Sequence, residues 1–426
     1  MLIELSVQNF RSIRERQTFS MVAAPRLIRG KQNKFTPTVK GERFPALLKI
    51  AAVYGPNASG KSTLVSAFDV LSKLSRQQPS TEKVTFDVAS FRFDKSLRYQ
   101  PSRIEVHFIA RETRYSFEVA LTQDRIFAEV LTMYRGSEAR ELYRRSYDLT
   151  GEGAHGVETY VFGKHFEGGD ELHKVWQRLT GPQTLFIAQA IANSSEELTQ
   201  LKAPWEWLRS LVVIKSGMRT WGNLSQKLIA AMPDFGSHVV TLLSDVDVPI
   251  TAIRSERTGP NGETEGEVPE SAVLERLISN SDDTVRTTLT HTSALGDAEF
   301  DFSEESDGTK NLVGFALPWT AFRNRSSSMS LMVVDELDSS LHPKLVEELI
   351  RKHLQEEPLC QLVFTTHDTH LMDTKLLRRD QLWVTERDMN GATQLRSIHD
   401  FEGRESEDVE KRYYEGRYRG LPFVRP

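Results

Sequence analysis

Cysteine is almost absent: Cys360 is the only one in 426 residues. That excludes an internal disulfide framework and any cysteine-based zinc cluster. A reducing, cytoplasmic setting is the expectation. Long apolar runs are missing as well. No stretch approaches the ~18 residues of a membrane-spanning helix. The N-terminus, MLIELSVQNF, alternates like a strand and has a charge inside its apolar stretch, so it does not resemble a secretory leader. Positive charge is not in excess either. The formal net charge is −5, so any contact with nucleic acid has to come from a local patch. Sustained heptads are lacking, which argues against a long coiled-coil arm, and no internal repeat is present. What remains, 39% apolar and 27% charged residues, is ordinary for a globular protein of two or three compact units.

The first positive signal is VYGPNASGKSTL at residues 53–64. An apolar run from Leu47 to Tyr54 meets Gly55, and Gly60-Lys61-Ser62-Thr63 opens an amphipathic helix pattern. Gly55 and Gly60 permit a loop whose N–H groups turn inward on a polyphosphate. Lys61 adds a point charge toward the β- and γ-phosphates, and the Ser62 hydroxyl is a ligand for Mg²⁺. The following helix sets the positive end of its dipole against the anion. Leu64, Ala67, Phe68, Leu71 and Leu74 share one face, as packing on a sheet requires. The strand–loop–helix context selects this reading over a chance glycine-rich turn.

A second half of such a site follows near residue 331. In SLMVVDELDSSLHPKLVEEL, Leu331 to Val334 read as a buried strand with Asp335 and Glu336 at its carboxyl end. Asp335 suits a Mg²⁺ ligand, typically through water, and Glu336 suits the general base that polarises an attacking water. QLVFTTHDTHLMD supplies another buried strand, 361–365, ending at His367, beside the Asp335 strand end and in reach of a γ-phosphate. In EESDGTKNLVGFAL, Ser306, Gly308 and Thr309 stand at a helix start, which taken alone is an N-cap. Pro343 reads as the first residue of a helix over 343–355.

Between these landmarks the alternation predicts strands at 2–9, 16–24, 85–93, 103–110, 114–121 and 126–134. Residues 151–169 are glycine-rich and read as a turn region, 170–245 as mainly helical, and 258–270 as a mobile loop. The segment 26–40 holds Arg26, Arg29, Lys31, Lys34 and Lys40 without an acid. It reads as an exposed loop, with a polyanion contact as the alternative. The expected division is an N-terminal lobe over 1–150, a mainly helical insertion over 151–295 and a C-terminal lobe over 296–426.

The order of these motifs resembles ABC-class AAA ATPases, in the SMC/RecF-like branch rather than the transporters. Gly55 to Thr63, with Asn57, Gly60, Lys61 and Ser62, looks like Walker A. SDGT at 306–309, with Ser306 and Gly308, looks like a degenerate signature motif. Asp335-Glu336 looks like Walker B, Ser339 to His342 like the D-loop, and His367 like the switch histidine. QNFRSI at 8–13 matches the opening strand of that branch, whose arginine, here Arg11, lies near the nucleotide. DELDSSLHP, FTTHDTHLMD and the tail EKRYYEGRYRGLPFV look like the bacterial abortive-infection ATPases of the AbiLi/RloA type. Both ends of the chain carry the resemblance and the middle does so loosely. His342 stands where ABC proteins usually have the D-loop aspartate, and no Q-loop glutamine is identified.

The resemblance implies an α/β fold: an ABC-type ATPase head with a mixed central sheet, an antiparallel β subdomain and a helical insertion. It implies ATP and Mg²⁺ as cofactors, a homodimer closed around ATP, and anti-phage defence through a separate effector such as a nuclease. No nuclease of TOPRIM or HNH pattern is found in the chain, and only about 40 residues remain beyond Trp383. DNA or RNA is a further candidate partner, and no membrane is expected. The alternative is a RecF/SMC-like DNA repair or recombination clamp. A non-hydrolysing scaffold is disfavoured by the intact Lys61, Asp335, Glu336 and His367.

Overall fold

Alternating apolar and polar residues over the first 162 positions pair as one antiparallel sheet of seven strands. In spatial order these are Val157–Phe162, Glu138–Asp148, Ile126–Arg135, Thr113–Leu121, Ser102–Ala110, Leu2–Gln8 and Gln17–Ser20. The computed structural model describes residues 1–28, 30–79, 83–148, 156–195, 197–215, 219–245, 248–257, 285–323, 329–339, 343–355 and 360–421. The loop expected at 258–270, Arg29 of the basic segment and His342 lie outside the described residues.

A second sheet carries the nucleotide motifs. Its order is Leu211–Ile214, Leu331–Val334, Gln361–Thr365, Ile50–Tyr54, Leu382–Arg387 and Thr393–Ser397. The strands from Leu331–Val334 to Leu382–Arg387 run parallel, and Thr393–Ser397 turns back antiparallel as a hairpin edge. Ile50–Tyr54, Leu331–Val334 and Gln361–Thr365 are buried along their whole length. Continuous apolar runs are what a parallel sheet covered on both faces requires. The helix Lys61–Arg76 lies against it. Its Leu64, Phe68 and Leu71 share one core with Val106 and Phe117 of the antiparallel sheet and Val333 and Val363 of the central sheet. The expected α/β architecture, with a mixed central sheet and an antiparallel β subdomain, is therefore present.

The chain groups into two compact units. The first is Met1–Val213 with Ser328–Glu336 and Ile350–Pro426, and it holds both sheets above. The second is Ile214–Ser327 with Leu337–Leu349. It contains the helices Arg219–Ala231 and Pro233–Asp245, a three-stranded antiparallel sheet (Ile250–Arg257, Val285–Ser293, Gly296–Asp301) and the helix Asp307–Arg323.

Four local expectations need correction. Residues 85–93 form no strand, because both edges of Ser102–Ala110 are taken by Leu2–Gln8 and Thr113–Leu121. The segment instead covers the core irregularly, with Phe86 and Phe91 buried and its backbone tied to Gln123, Arg11 and the Asn9 side chain. Within the turn region 151–169, Val157–Phe162 is an edge strand, its residues alternating between exposed and half-buried. Within the helical stretch, Leu211–Ile214 joins the central sheet, as the β-branched pair Val212-Val213 favours. The insertion is helical for the most part but not throughout, since Ile250–Arg257 and Val285–Ser293 are strands.

Candidate functional site

The loop between Tyr54 and Lys61 is shaped by backbone that only glycine tolerates. Gly55 has φ +149° and Gly60 φ +109°. A Cβ on Gly55 would meet the Ser59 and Thr385 hydroxyls, and one on Gly60 would run into the Thr393 side chain, all closer than 3.0 Å. The helix that follows starts at Gly60 without a side-chain cap and without an acid in its first turn. That start is a backbone anion site, because the first N–H groups of a helix have no intrahelical acceptor.

Hydroxyls hold the loop from behind. Ser59 Oγ and Thr385 Oγ1 are 2.5 Å apart, and Thr385 Oγ1 donates to Tyr54 O at 3.1 Å. Thr393 Oγ1 lies 2.8 Å from both Ser59 O and Ser12 Oγ, and Ser12 Oγ is 2.8 Å from Thr63 Oγ1. Lys61 is buried and its Nζ donates to Gly55 O at 2.8 Å and Pro56 O at 3.2 Å, folded back across the mouth of the loop. Ser62 is exposed to the cavity beside it.

Two neighbouring strand ends complete the site. Val334 pairs with Phe364, so Asp335 and Thr365 emerge side by side. Thr365 Oγ1 donates to Asp335 Oδ1 at 2.7 Å and accepts from Glu336 N at 2.7 Å. One threonine thus orients the buried Asp335 carboxylate and fixes the turn of the chain at Glu336. There the backbone is left-handed, φ +53°, a conformation costing about 1 kcal/mol or more for a non-glycine residue. A cavity of about 250 Å³ is lined by Ser12, Asn57, Ala58, Gly60, Lys61, Ser62, Thr63, Glu336 and His367. A wider cavity of about 810 Å³ opens on the other side of Asn57 and His367, with Arg387, Tyr413, Tyr414 and Arg419 on its wall. Tyr413 is pushed up to about 12 by burial first and the nearby Tyr414 second, and its hydroxyl donates to Gly420 O at 2.7 Å.

The structure therefore brings Asn57, Gly60, Lys61, Ser62, Thr63, Glu336 and His367 together around one cavity, with Gly55 and Asp335 directly behind them. Arg11 is placed differently. It pairs with Asp87 at 2.7 Å on the surface, and its neighbour Ser12 reaches the cavity instead. Ser306 caps the helix Asp307–Arg323 in the second compact unit, its Oγ accepting from Thr309 N at 3.1 Å, with Gly308 in the first turn. Sequence reasoning missed Ser12, Thr365, Thr385 and Thr393. Ser12 and Thr365 are one and two residues from Arg11 and His367 and carried that much signal; Thr385 and Thr393 carried none.

A divalent ion suits these donors. Among the described residues no cluster of three or more His, Cys, Asp or Glu side chains gathers to hold a metal. One serine hydroxyl and one carboxylate is the partial set that Mg²⁺ uses when phosphate oxygens and waters supply the rest.

These features define a nucleotide-binding α/β protein of the phosphate-loop type. The chain belongs to the family described as "AAA domain, putative AbiEii toxin, Type IV TA system", whose profile matches residues 50–174 and 245–373, more than half of its length. No curated protein matches the sequence significantly. Among solved structures it is similar to the SMC head domain from Thermotoga maritima, at 15% identity and a TM-score of 0.37, over 93% of this chain and 98% of that one. It is also similar to an SmcHead bound to the C-winged helix domain of ScpA, at 14% identity and a TM-score of 0.39, over 97% and 99% of the two chains. A third is the Smc head domain with an extended coiled coil, bound to the C-terminal domain of ScpA, from Pyrococcus furiosus. It gives 12% identity and a TM-score of 0.40, over 93% of this chain and 96% of that one.

Proposed function

We propose that this chain binds ATP with Mg²⁺ and hydrolyses it, and that the cycle switches the protein between states that control a separate effector in anti-phage defence. One observation carries the ATPase reading: Lys61, Ser62, Glu336 and His367 line a single cavity of about 250 Å³ at the glycine loop. In this reading Lys61 exchanges the loop carbonyls for phosphate oxygens, and the uncapped helix start takes the phosphates on its N–H groups. Ser62 and Asp335 hold Mg²⁺, which neutralises phosphate charge. Glu336 accepts a proton from the attacking water, and His367 steadies the γ-phosphate. The abortive-infection assignment rests on the resemblance of the motifs and on the family description. The alternative, a RecF/SMC-like repair clamp, uses the same chemistry with DNA as the controlled partner. Proteins copurifying from the native host separate the two: a nuclease or toxin supports defence, a recombinase or polymerase clamp supports repair. Among the described residues no helix is long and apolar enough to cross a membrane.

The test is a pair of variants. Glu336→Gln should retain ATP binding and lose at least about 100-fold in turnover, about 2.7 kcal/mol in the barrier, because an amide cannot accept the proton. Lys61→Ala should weaken binding itself. Near-wild-type hydrolysis by Glu336→Gln, measured as phosphate release, removes Glu336 from the role of base.

A further inference from the structure

A cavity larger than the one at the glycine loop lies elsewhere in the first compact unit. It lies at the opposite end of the loop-bearing helix, where Arg76 ends the last turn, and has a volume of about 1130 Å³. Among the described residues its wall holds three cations, Arg76, Lys83 and Arg209, and no carboxylate. Lys83 and Arg209 form no ion pair with any described residue, and both are exposed. Arg76 donates to the carbonyls of Arg209 at 3.0 Å and Leu211 at 2.7 Å. Its pKa is lowered, first by withdrawal from water and then by the Arg209 guanidinium, while Asp69 pulls the other way. Positive charge is therefore left uncompensated at this wall.

Two further features narrow the ligand class. The Arg209 guanidinium stands 6.0 Å from the ring centroid of the half-buried Trp205, so an aromatic face and a cation are offered together. Gln189 lines the same cavity at 5% exposure, and its side-chain amide has no hydrogen bond to any described residue. The amide opens onto the cavity, where it offers a donor and an acceptor to a ligand. Cations alone suit any polyanion. Cations with an indole face and an amide suit phosphates joined to bases, since bases stack on aromatic rings and pair with glutamine amides. The volume exceeds the ~300–1,000 Å³ of ordinary small-molecule pockets, which leaves room for more than one nucleotide.

We propose that this cavity binds a short single-stranded stretch of nucleic acid, with phosphates on Lys83 and Arg209, a base against Trp205 and a base edge on Gln189. The site is separate from the ATP cavity and does not depend on the ATPase reading. The test uses the full chain without nucleotide and fluorescence anisotropy of a labelled single-stranded oligonucleotide, with a dinucleotide and inorganic polyphosphate as competitors. Binding should weaken with salt, and Lys83→Gln and Arg209→Gln should each lower the salt slope by about 0.7. Trp205→Ala should cost at least about fivefold in affinity, and Gln189→Leu, which keeps the volume, should weaken binding without changing the salt slope. Lys61→Ala should bind as wild type. Competition by the dinucleotide indicates a free nucleotide as ligand, and competition only by longer strands indicates a strand in transit; both support the site. Oligonucleotide binding unchanged by Trp205→Ala and Gln189→Leu, or displaced as well by polyphosphate at equal charge, overturns it.

Discussion

Gly60 shows how much one missing side chain does. Its φ of +109° and the closeness of Thr393 make the position intolerant of any Cβ. Gly60→Ala should therefore lose nucleotide binding, by at least about tenfold, while the melting temperature falls only modestly, since strain of this kind costs about 1–3 kcal/mol. Titration with a fluorescent ATP analogue, alongside a thermal melt, reads both quantities; undiminished affinity would mean that the loop relaxes at no cost. The same residue scale explains what the sequence could reveal. Gly55, Gly60, Lys61 and Ser62 were legible because backbone freedom and charge are needed at fixed spacing along the chain. Arg11 was named because the resemblance puts the arginine of QNFRSI near the nucleotide. The positive φ of 52° at Arg11 and the Asp87 carboxylate 2.7 Å away turn it elsewhere. Thr385 and Thr393 look like any threonines of an edge hairpin, and only folding shows that their hydroxyls hold the loop.

At the scale of elements, strands and helices with a strong period were readable to within a residue or two. The helix over Pro343–Gln355 and the strands Leu331–Val334 and Gln361–Thr365 fall where the pattern set them. The segment 85–93 has the right residues for a strand, but its expected partner Ser102–Ala110 is already paired on both sides, a condition that no local pattern records. Strand Ser102–Ala110 also sets a pH dependence. On it Glu105 accepts from His107 at 2.7 Å, and Arg16 donates to it at 2.7 Å. Those hydrogen bonds, that of His107 foremost, hold the Glu105 carboxyl at about 2 against an ordinary 4.5. A depressed folded value means that the stabilisation is fully present above pH 4.5 and is lost as the pH falls toward 2. Discounted for partial exposure to water, it amounts to about 1–2 kcal/mol. Melting temperatures of wild type and Glu105→Gln should differ at pH 6, and the gap should shrink as the pH falls from 4.5 toward 2; a constant gap would leave the pair without a role in acid sensitivity.

For the molecule as a whole, the chain groups into two compact units, each assembled from separated pieces of chain. Composition along a chain cannot reveal that residues 50–54 lie between residues 361–365 and 382–387. The proposed switch makes a prediction at this scale. The cavity at the loop supplies one side of an ATP site, and a second copy, through its Ser306 and the helix start behind it, is proposed to supply the other. Lys61→Ala and Ser306→Arg should each be inactive alone. Mixed, about half of the dimers are hybrids with one intact composite site of two, so ATPase should recover to about a quarter of wild type. Demonstrated subunit exchange without recovery, together with no ATP-dependent crosslink from residue 306 to the partner's loop, would exclude the arrangement in trans.

The hydroxyls that brace the glycine loop also set a schedule for synthesis. Thr385 and Thr393 leave the ribosome more than 300 residues after Lys61. The strands on either side of Ile50–Tyr54 are equally late. A nascent chain therefore carries its phosphate-binding motif for most of translation with no neighbours to hold it open, and long-range pairing of this kind comes late in folding. Arrested chains released at increasing lengths should bind an ATP analogue only once residue 397 has emerged, as a step rather than a gradual rise. In the proposed cycle, a partly made chain is in this way kept from turning over ATP before the groups that would govern it exist.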